Sequence, residues 1–370
     1  GDEPGISDFR TGDIVVLYDQ SKRVDQQEIL RGVIESIDNQ SLAIRIRGGI
    51  QREISANDKY SIEHDVLESF LYGPFGSLTS FLEADIGFRD LVFGLREPKM
   101  AELEEPEIER EAVLARMQAA QELFILQGPP GTGKTSGIIG NYVERLYTET
   151  NKKLMILSFT NRAVDEICLC LKHRGLPFIR SGSSQVIVDE LLDNVISGKR
   201  YQETDSILRH NRIFVATVQS ANAWYVDIQR LTGIDELIID EASQILENSI
   251  LGLMTIAPKT ILIGDQNQLP AICVQTPLDY RFQSLELQEL EYDNINQSLM
   301  ERLFRLYTKR GWNAHYRMLT GHYRMHFKIS SLIAHYYANR LQPVLKEQYQ
   351  PLQKSNLPEN LDTRLLWLEC

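Results

Sequence analysis

The sequence predicts an α/β protein in which a small antiparallel β-barrel and a helical stalk precede a parallel sheet covered by helices. Three observations predict this fold class. Strand-like and helix-like segments alternate from residue 123 onward, and short apolar runs separated by turn residues fill residues 11–62. A complete glycine-rich phosphate loop lies between the first strand and the first helix of the alternating region. With 370 residues, 43% of them apolar, the chain is long enough for two or three domains.

The charge is unevenly distributed along the chain. The net charge is −12, and residues 1–127 hold 13 basic and 25 acidic side chains, whereas residues 128–370 hold 26 of each. The later region is therefore neutral. The overall charge neither excludes nor supports a nucleic-acid partner.

The composition is typical of an intracellular protein. No apolar run reaches the length of a membrane span and the N-terminus is polar, so we expect a soluble, cytoplasmic protein without a signal peptide, or a nuclear or nucleoid one if it acts on DNA. The cysteines lack the spacing of a metal site, which is consistent with a reducing compartment. They are Cys168, Cys170, Cys273 and Cys370.

The N-terminal region predicts the barrel and the stalk. In residues 42–47, apolar and polar side chains alternate with the period of a half-buried strand. The predicted strands are Ile14–Tyr18, Leu30–Ile37, Leu42–Arg47 and Arg52–Ile54. Residues 64–95 are predicted to be helical, the acidic run Glu97–Glu111 is a connector, and a helix follows from about Glu107 to Gln121.

From residue 123 the pattern predicts a parallel sheet with helices on both faces. The predicted strands are 123–127, 154–159, 212–217, 236–240 and 260–264. A second α/β unit is predicted to start near residue 316, with a strand at Met318-Leu319, a helix at Ile329–Leu341 and a strand at Arg364–Glu369.

The phosphate loop predicts a nucleoside-triphosphate site. Its eight residues match the pattern G-x-x-x-x-G-K-T and are Gly128, Pro129, Pro130, Gly131, Thr132, Gly133, Lys134 and Thr135. The glycines let backbone N–H groups face the phosphates, Lys134 reaches the β- and γ-phosphates, and the Thr135 hydroxyl is a ligand for Mg²⁺. The N-terminus of the following helix adds a favourable dipole.

Two carboxylates follow the strand-like run 237–239. Asp240 is suited to hold the Mg²⁺ shell, and Glu241 is suited to orient or deprotonate an attacking water. An acidic pair that only caps a helix is the structural alternative. Gln268 lies beyond another apolar strand, where it can sense the γ-phosphate, because ligands bind at the carboxyl edge of a parallel sheet.

Polar side chains after two further strands are candidates for contacts with nucleic-acid phosphates. Ordinary turn chemistry explains such residues about as well. The candidates are Ser158, Thr160, Asn161, Thr217 and Gln219.

The segment 322–326 reads His-Tyr-Arg-Met-His. Tyr323 can stack on a nucleobase and Arg324 can offset charge in a phosphoryl-transfer transition state. The two histidines, four residues apart, lack a further ligand in the pattern, so a metal site is not favoured there.

Taken in order, these motifs resemble those of the superfamily 1 helicases, of the type that includes the nonsense-mediated-decay RNA helicase and the nuclease–helicase of Okazaki-fragment processing. The matching motifs are QGPPGTGKT at 127–135, SFTNRAVDEI at 158–167, IDEASQ at 239–244, LIGDQNQLP at 262–270 and HYRMH at 322–326. The resemblance covers roughly residues 107–341. It implies a RecA-like P-loop domain and the start of a second one, which close on ATP and Mg²⁺ and step along single-stranded DNA or RNA in the 5′-to-3′ direction.

The resemblance also implies roles and boundaries. Lys134 and Thr135 would hold phosphate and Mg²⁺, and Gln268 would couple to the γ-phosphate. Thr160 and Thr217 would touch the tracked strand. The remaining roles would be metal and water handling by Asp240 and Glu241, base stacking by Tyr323 and a γ-phosphate contact by Arg324. The predicted divisions are an accessory barrel at 1–64, a stalk and connector at 65–106, a motor domain at 107–310 and the beginning of a second motor domain at 311–370. DNA is slightly favoured over RNA because the N-terminal layout resembles that of the nuclease–helicase branch.

Three departures from the family pattern affect this interpretation. Glu109 stands where relatives carry an adenine-reading glutamine, which Gln118 or Gln121 could replace. His322 stands where many relatives have glutamine. The later motifs of the second motor domain are missing after Cys370, so a further C-terminal helicase portion is expected.

Two other functions are compatible with parts of the sequence. An ATP-gated clamp on nucleic acid or protein, without unwinding, fits the missing terminal motifs, but Glu241 argues against it. A P-loop ATPase that acts on protein assemblies fits the phosphate loop, but Thr160, Thr217 and the order of the motifs argue against it.

Overall fold

The structure is a computed structural model that describes residues 9, 13–20, 30–38, 41–47, 59–64, 69–184, 186–223, 233–271 and 281–350. The chain divides into two compact units, residues 1–73 and 74–370. In the part of the chain described, no helix is both long enough and apolar enough to span a bilayer.

The first unit contains a four-stranded antiparallel sheet in the order β3-β2-β1-β4. Its strands are β1 (Ile14–Asp19), β2 (Leu30–Ile37), β3 (Leu42–Arg47) and β4 (Tyr60–His64). The predicted antiparallel strands are confirmed for β1 to β3, and β4 is an additional strand. The predicted strand Arg52–Ile54 lies outside the described residues, so closure of this sheet into a barrel stays a prediction.

Two helices follow this sheet along the chain, α1 (Ser69–Glu83), which begins in the first unit, and α2 (Ile86–Phe93). They interrupt the single helical stretch predicted for residues 64–95. The break has a local cause, because the Asp85 carboxylate accepts a hydrogen bond from the Gly87 N–H and caps α2. Gly94 ends α2 with a left-handed φ of 74°.

A seven-stranded, fully parallel sheet forms the centre of the second unit, in the order β11-β5-β10-β9-β6-β8-β7. Its strands are β5 (Leu123–Gln127), β6 (Leu154–Ser158), β7 (Ile179–Ser181), β8 (Ile213–Thr217), β9 (Glu236–Ile239), β10 (Lys259–Gly264) and β11 (Tyr316–Met318). The strands β5 to β10 are buried along their whole length, because helices cover both faces of the sheet. The five strands predicted after residue 122 are confirmed, and β7 is new.

The core lies in two layers, one on each face of this sheet. Along β5, Leu123 and Ile125 pack into one layer, and Phe124 and Leu126 into the other. Further helices in the described ranges are α3 (Glu109–Ala119), α4 (Gly140–Glu149), α5 (Asn161–His173), α6 (Leu192–Ile196), α7 (Tyr201–His210), α8 (Leu251–Met254), α9 (Leu285–Glu289), α10 (Leu299–Arg310) and α11 (Phe327–Ile333). Helices α3, α4 and α5 cover one face, and α2, α8 and α10 cover the other.

The strand predicted to open a second α/β unit belongs to the first sheet instead. It forms at Tyr316–Met318 and pairs in parallel with β5, Met318 opposite Gln127. Met318 is buried in this position, and Tyr316 and Arg317 are partly exposed. After it, β12 (Gly321–His322) pairs with β13 (Gln342–Pro343). The domain boundaries stay a proposal, and we now place the start of the second α/β domain after Met318. The predicted strand Arg364–Glu369 lies outside the described residues.

The predicted helix Ile329–Leu341 is shorter than expected. Helix α11 ends at Ile333, and a 3₁₀ turn, Ala334–Tyr337, follows it. Ala338 and Asn339 then take left-handed φ angles of 51° and 57°, which no helix can include.

Candidate functional site

The phosphate loop connects β5 to the helix that begins at Lys134. Gly131 and Gly133 have φ angles of 76° and 79°, a region in which residues with a Cβ are strained. The Thr132 hydroxyl donates to the Pro129 carbonyl at 2.8 Å and closes the loop on itself. The first helical turns, Lys134–Ile139, are π-helical, a form often found at functional sites.

Two carboxylates at the end of β9 face the loop. The Thr135 hydroxyl lies 3.5 Å from Asp240 Oδ2, and Lys134 Nζ lies 3.4 Å from Glu241 Oε1. Asp240 is buried, with 2% of its surface exposed. The arrangement therefore places a hydroxyl and a carboxylate side by side, which are the oxygen ligands that Mg²⁺ prefers. The donor set of Thr135 and Asp240 fits this ion.

Electrostatics at this carboxylate pair favour a bound cation. Burial and, to a smaller extent, the negative charge of Glu241 raise the pKa of Asp240 to about 6, while Lys134 opposes the shift. A divalent ion beside Asp240 would stabilise the charged form that burial disfavours. Glu241 itself has a φ of 53°, which is rare for a residue with a side chain.

Gln268 is exposed in the segment that follows β10. Its amide donates to Asp265 Oδ2 at 2.7 Å, and the Tyr337 hydroxyl donates to the same oxygen at 2.7 Å. The other oxygen of Asp265 accepts from the Gln127 amide at 3.3 Å. Asp265 is fully buried and was not predicted as a site residue, although it stands in the quoted motif beside Gln268.

The segment after β12 lies directly on the phosphate loop. The Tyr323 N–H donates to the Gly131 carbonyl at 2.8 Å. A Cβ placed on Gly131 would lie 2.5 Å from Arg324 Cβ, so only glycine permits this close approach. The structure therefore places Tyr323 and Arg324 beside Gly131 of the phosphate loop, and their roles at a nucleotide stay a prediction.

Arg110, at the start of α3, is a neighbour of the loop that the sequence analysis did not single out. Its guanidinium carbon lies 4.6 Å from the centroid of the Tyr323 ring. The residue belongs to no motif. Only its position beside Glu109 on α3 could have drawn attention to it.

The Glu109 carboxylate accepts hydrogen bonds from the segment that follows β11. Its Oε1 accepts from the Thr320 N–H at 2.8 Å and from the Thr320 hydroxyl at 2.6 Å. Glu109 therefore ties α3 to the segment that carries Tyr323. Of the two suggested substitutes for an adenine-reading glutamine, Gln118 places its amide 3.5 Å from Glu149.

The candidate strand-binding residues lie at the carboxyl edge of β6 and β8. Ser158 stands opposite Thr217 in the parallel register. The Thr160 hydroxyl accepts from the Ala163 N–H at 3.2 Å and caps α5, and Asn161 Oδ1 accepts from buried Arg180 at 3.2 Å. The structure thus places these residues on one edge, as predicted.

These residues differ in accessibility. Thr217 is 7% exposed, and its hydroxyl both accepts from the Ser220 N–H and donates to the Ser220 hydroxyl. Ser158 is buried, and within the described ranges its hydroxyl has no hydrogen-bond partner. Thr160, Asn161 and Gln219 are exposed.

The two histidines of the 322–326 segment have separate partners. His322 is buried, and its Nδ1 lies 3.0 Å from the Gln348 amide. The other nitrogen of His322 has no partner among the described residues. His326 Nε2 lies 3.1 Å from the Gln350 carbonyl. Burial lowers the pKa of His322, which favours the neutral ring.

The sequence is similar to those of several known proteins. A family model described as an AAA domain matches residues 107–197 and 188–276. The chain is 31% identical to the DNA replication ATP-dependent helicase/nuclease dna2 of Schizosaccharomyces pombe over 59% of its own length. It is 23% identical to the DNA replication ATP-dependent helicase/nuclease JHS1 of Arabidopsis thaliana over 72% of its length, and 26% identical to the DNA-binding protein SMUBP-2 of Mus musculus over 86%. The matches span only 16%, 22% and 36% of those three relatives.

Proposed function

Since the chain belongs to the superfamily 1 helicases of the type that contains these helicase/nucleases and SMUBP-2, we propose that it acts as an ATP-dependent helicase or translocase on single-stranded nucleic acid. The observation that carries the proposal is the convergence on one phosphate loop of the Lys134–Glu241 and Thr135–Asp240 pairs. The main chain of Tyr323 is hydrogen-bonded to the same loop.

Each side chain at the loop has a defined task in hydrolysis. A bound triphosphate takes Lys134 away from Glu241, which leaves the Glu241 carboxylate free to orient and deprotonate a water. Asp240 and Thr135 would hold Mg²⁺, which when bound offsets the charge of the phosphates. Arg324 offsets the charge on the transferred γ-phosphoryl group.

Coupling to strand movement uses the neighbouring residues. Tyr323 stacks on the base of the bound nucleotide, and Gln268 responds to the γ-phosphate from the segment that follows β10. Closure of the motor domain (107–318) on the unit that starts after Met318 then advances the strand, in the 5′-to-3′ direction. Thr160 and Asn161 contact the strand at the exposed edge of β6, with smaller contributions from Ser158, Thr217 and Gln219.

DNA is the favoured strand. The names of two relatives support this, because they are described as DNA replication helicases. Residues 1–64 and 65–106 serve as the accessory barrel and the stalk in this proposal, and a further helicase portion completes the second motor unit.

The proposal is tested by steady-state ATP hydrolysis with and without single-stranded DNA or RNA. We expect strand-stimulated turnover that Lys134→Ala abolishes and that Glu241→Gln lowers on the order of 10²-fold or more, because the water loses its base. The better stimulating strand identifies the substrate.

A second lysine–glutamate pair supplies matched controls. Glu291 also has a left-handed φ, of 63°, and its Oε1 lies 2.6 Å from Lys309 Nζ, outside the candidate site. Lys309→Ala and Glu291→Gln should leave turnover unchanged. Tight, ATP-sensitive strand binding without turnover would assign a clamp instead, and turnover that no strand stimulates would assign an ATPase for protein assemblies.

A further inference from the structure

The Arg110 side chain occupies a defined place between the phosphate-loop helix and Tyr323. Its guanidinium lies 4.6 Å from the Tyr323 ring centroid. A Cβ placed on Gly137 would lie 3.4 Å from both Cζ and one terminal nitrogen of Arg110, and one placed on Gly133 would lie 3.3 Å from the same nitrogen. The guanidinium therefore rests against the first helical turn on one side and the tyrosine ring on the other.

The charge of Arg110 is not compensated by a carboxylate there. In the described ranges, no ion pair or side-chain hydrogen bond is formed by Arg110 or by Arg324. The neighbouring Glu109 is turned toward Thr320. Arg110 lies against Gly133 and Arg324 lies against Gly131, so both arginines border the phosphate loop at the N-terminal end of its helix. Positive charge beside a helix N-terminus favours the binding of an anion.

The position along the helix indicates which part of the anion Arg110 meets. Lys134 and Thr135 lie at the β- and γ-phosphate end in the proposed function, whereas Gly137 is almost one turn further along the helix. Tyr323, on the other side of Arg110, is the proposed base platform. The guanidinium therefore stands between the base and the terminal phosphates.

Stacking also prepares the side chain for binding. An arginine that lies on an aromatic ring keeps its planar N–H fork in place, and such a fork suits phosphate oxygens. A lysine carries the same charge but has neither the fork nor the planar stack.

We infer that Arg110 is a nucleotide-binding residue that contacts phosphate oxygens at the α-phosphate end of the bound triphosphate. This inference rests on the proposed function, because it assumes that the loop binds a nucleoside triphosphate. It gives the site a third cation, separate in task from Lys134 and Arg324.

The test is equilibrium binding of a non-hydrolysable ATP analogue, ADP and adenosine, together with competition by inorganic tripolyphosphate. We expect Arg110→Ala to weaken the ATP analogue and ADP equally, about tenfold or roughly 1.4 kcal/mol, and to weaken tripolyphosphate in parallel. Adenosine binding should not change. Arg110→Lys should recover part of the loss, and Arg324→Ala should weaken the ATP analogue more than ADP.

Controls separate a local effect from misfolding. Arg209 is exposed on α7 and pairs with Asp205 at 2.8 Å, so Arg209→Ala should bind every ligand as the unchanged chain does. The melting temperature of Arg110→Ala should equal that of the unchanged chain, since Arg110 makes no ion pair in the described part of the chain.

The outcomes that contradict the inference are distinct. Unchanged affinity for ADP and tripolyphosphate in Arg110→Ala would overturn it. Weakened adenosine binding with unchanged tripolyphosphate competition would assign Arg110 to the base and also overturn it. If the unchanged chain binds nucleotide as expected but no strand stimulates hydrolysis, the proposed function fails and the Arg110 assignment stands.

Discussion

At the scale of single residues, Glu241 combines a proposed catalytic role with an unfavourable backbone conformation. Its φ of 53° is in the left-handed region, where a Cβ approaches the following carbonyl group. The Asp240 carboxylate accepts from the Glu241 N–H at 3.0 Å and helps to hold this conformation. Strain of this kind is often found where a side chain must be aimed at a reacting group.

The strain at Glu241 can be measured with two variants that both remove the carboxylate. We expect Glu241→Gly to be more stable than Glu241→Ala by roughly 1 kcal/mol in the free energy of unfolding, because only glycine adopts this φ without cost. Urea denaturation measures the difference. Equal stability of the two variants would show that position 241 relaxes and stores no strain.

Position 291 provides the control for this comparison. Glu291 shares the left-handed φ, so Glu291→Gly should also exceed Glu291→Ala in stability. Hydrolysis should be lost only in the variants at position 241.

Most of the residues at the phosphate loop could be predicted, because loop, strand and carboxylate signals are local in sequence. Arg110 and Asp265 could not, since their importance comes from contacts with Tyr323 and Tyr337, more than 70 residues away. Glu109 shows the same limit. Its contact with Thr320 depends on where β11 enters the sheet.

At the scale of secondary-structure elements, Thr160 has an observed role as a helix cap and a proposed role in strand binding. Its hydroxyl caps α5, and it is exposed at the edge where the strand is proposed to bind. A loss of strand binding in Thr160→Ala alone would therefore be ambiguous.

Thr160→Asp separates the two roles. Aspartate keeps the cap but adds negative charge beside a phosphate, so we expect unchanged stability and weaker strand binding. Thr160→Ala should lose about 1 kcal/mol of stability. Thermal unfolding and fluorescence anisotropy with labelled single-stranded DNA measure both effects.

Ser284 supplies the control, because its hydroxyl lies 3.4 Å from the Leu287 N–H and caps α9. Ser284→Asp should leave strand affinity unchanged. If Thr160→Asp binds the strand as well as the unchanged chain does, Thr160 only caps the helix.

Strands in the sheet were predictable to different degrees. Each of β5, β6, β8, β9 and β10 contains an uninterrupted run of three or four apolar residues, a pattern typical of strands that are buried on both faces. β7 has three residues, and buried Arg180 interrupts its apolar pattern, so periodicity did not reveal it. The sheet position of β11 depends on long-range pairing with β5, which no local pattern encodes.

At the scale of the whole molecule, the amino ends of the strands carry a buried ionic cluster opposite the site. Lys259 Nζ lies 3.3 Å from Glu236 Oε1 and 3.0 Å from the Tyr142 hydroxyl. Lys152 Nζ lies 2.7 Å from the same Glu236 oxygen. Burial lowers the pKa of Lys259 from its ordinary value of 10.5 to about 8, although Glu236 opposes the shift.

This cluster predicts how global stability depends on pH. Between about pH 8 and 10.5 the unfolded chain keeps the Lys259 proton and the folded chain releases it, so the unfolded state binds more protons. The contribution of Lys259 to the free energy of unfolding should therefore rise with pH across this window, on the order of 1–2 kcal/mol by pH 9.5.

Urea denaturation from pH 7.5 to 9.5 checks this dependence, with Lys259→Met as the comparison that lacks the titrating group. The range stops below pH 10, because the raised pKa of Tyr142 acts in the opposite direction above it. Parallel pH profiles for the two chains would show that Lys259 stays protonated in the folded state.

The buried Asp265 has a further consequence for the timing of a catalytic cycle. Gln268 and Tyr337 donate to the same carboxylate oxygen, so Gln268 cannot turn to a phosphate without leaving a buried acceptor short of one donor. Tyr337 remains as a donor, so the loss is one hydrogen bond to a carboxylate, worth about 1.5–3 kcal/mol, which the incoming phosphate must offset. When the phosphate departs, the hydrogen bond from Gln268 to Asp265 forms again with the same gain in free energy. The hydrogen bond to Asp265 would thus return Gln268 to its starting position after each cycle, independently of the bound strand.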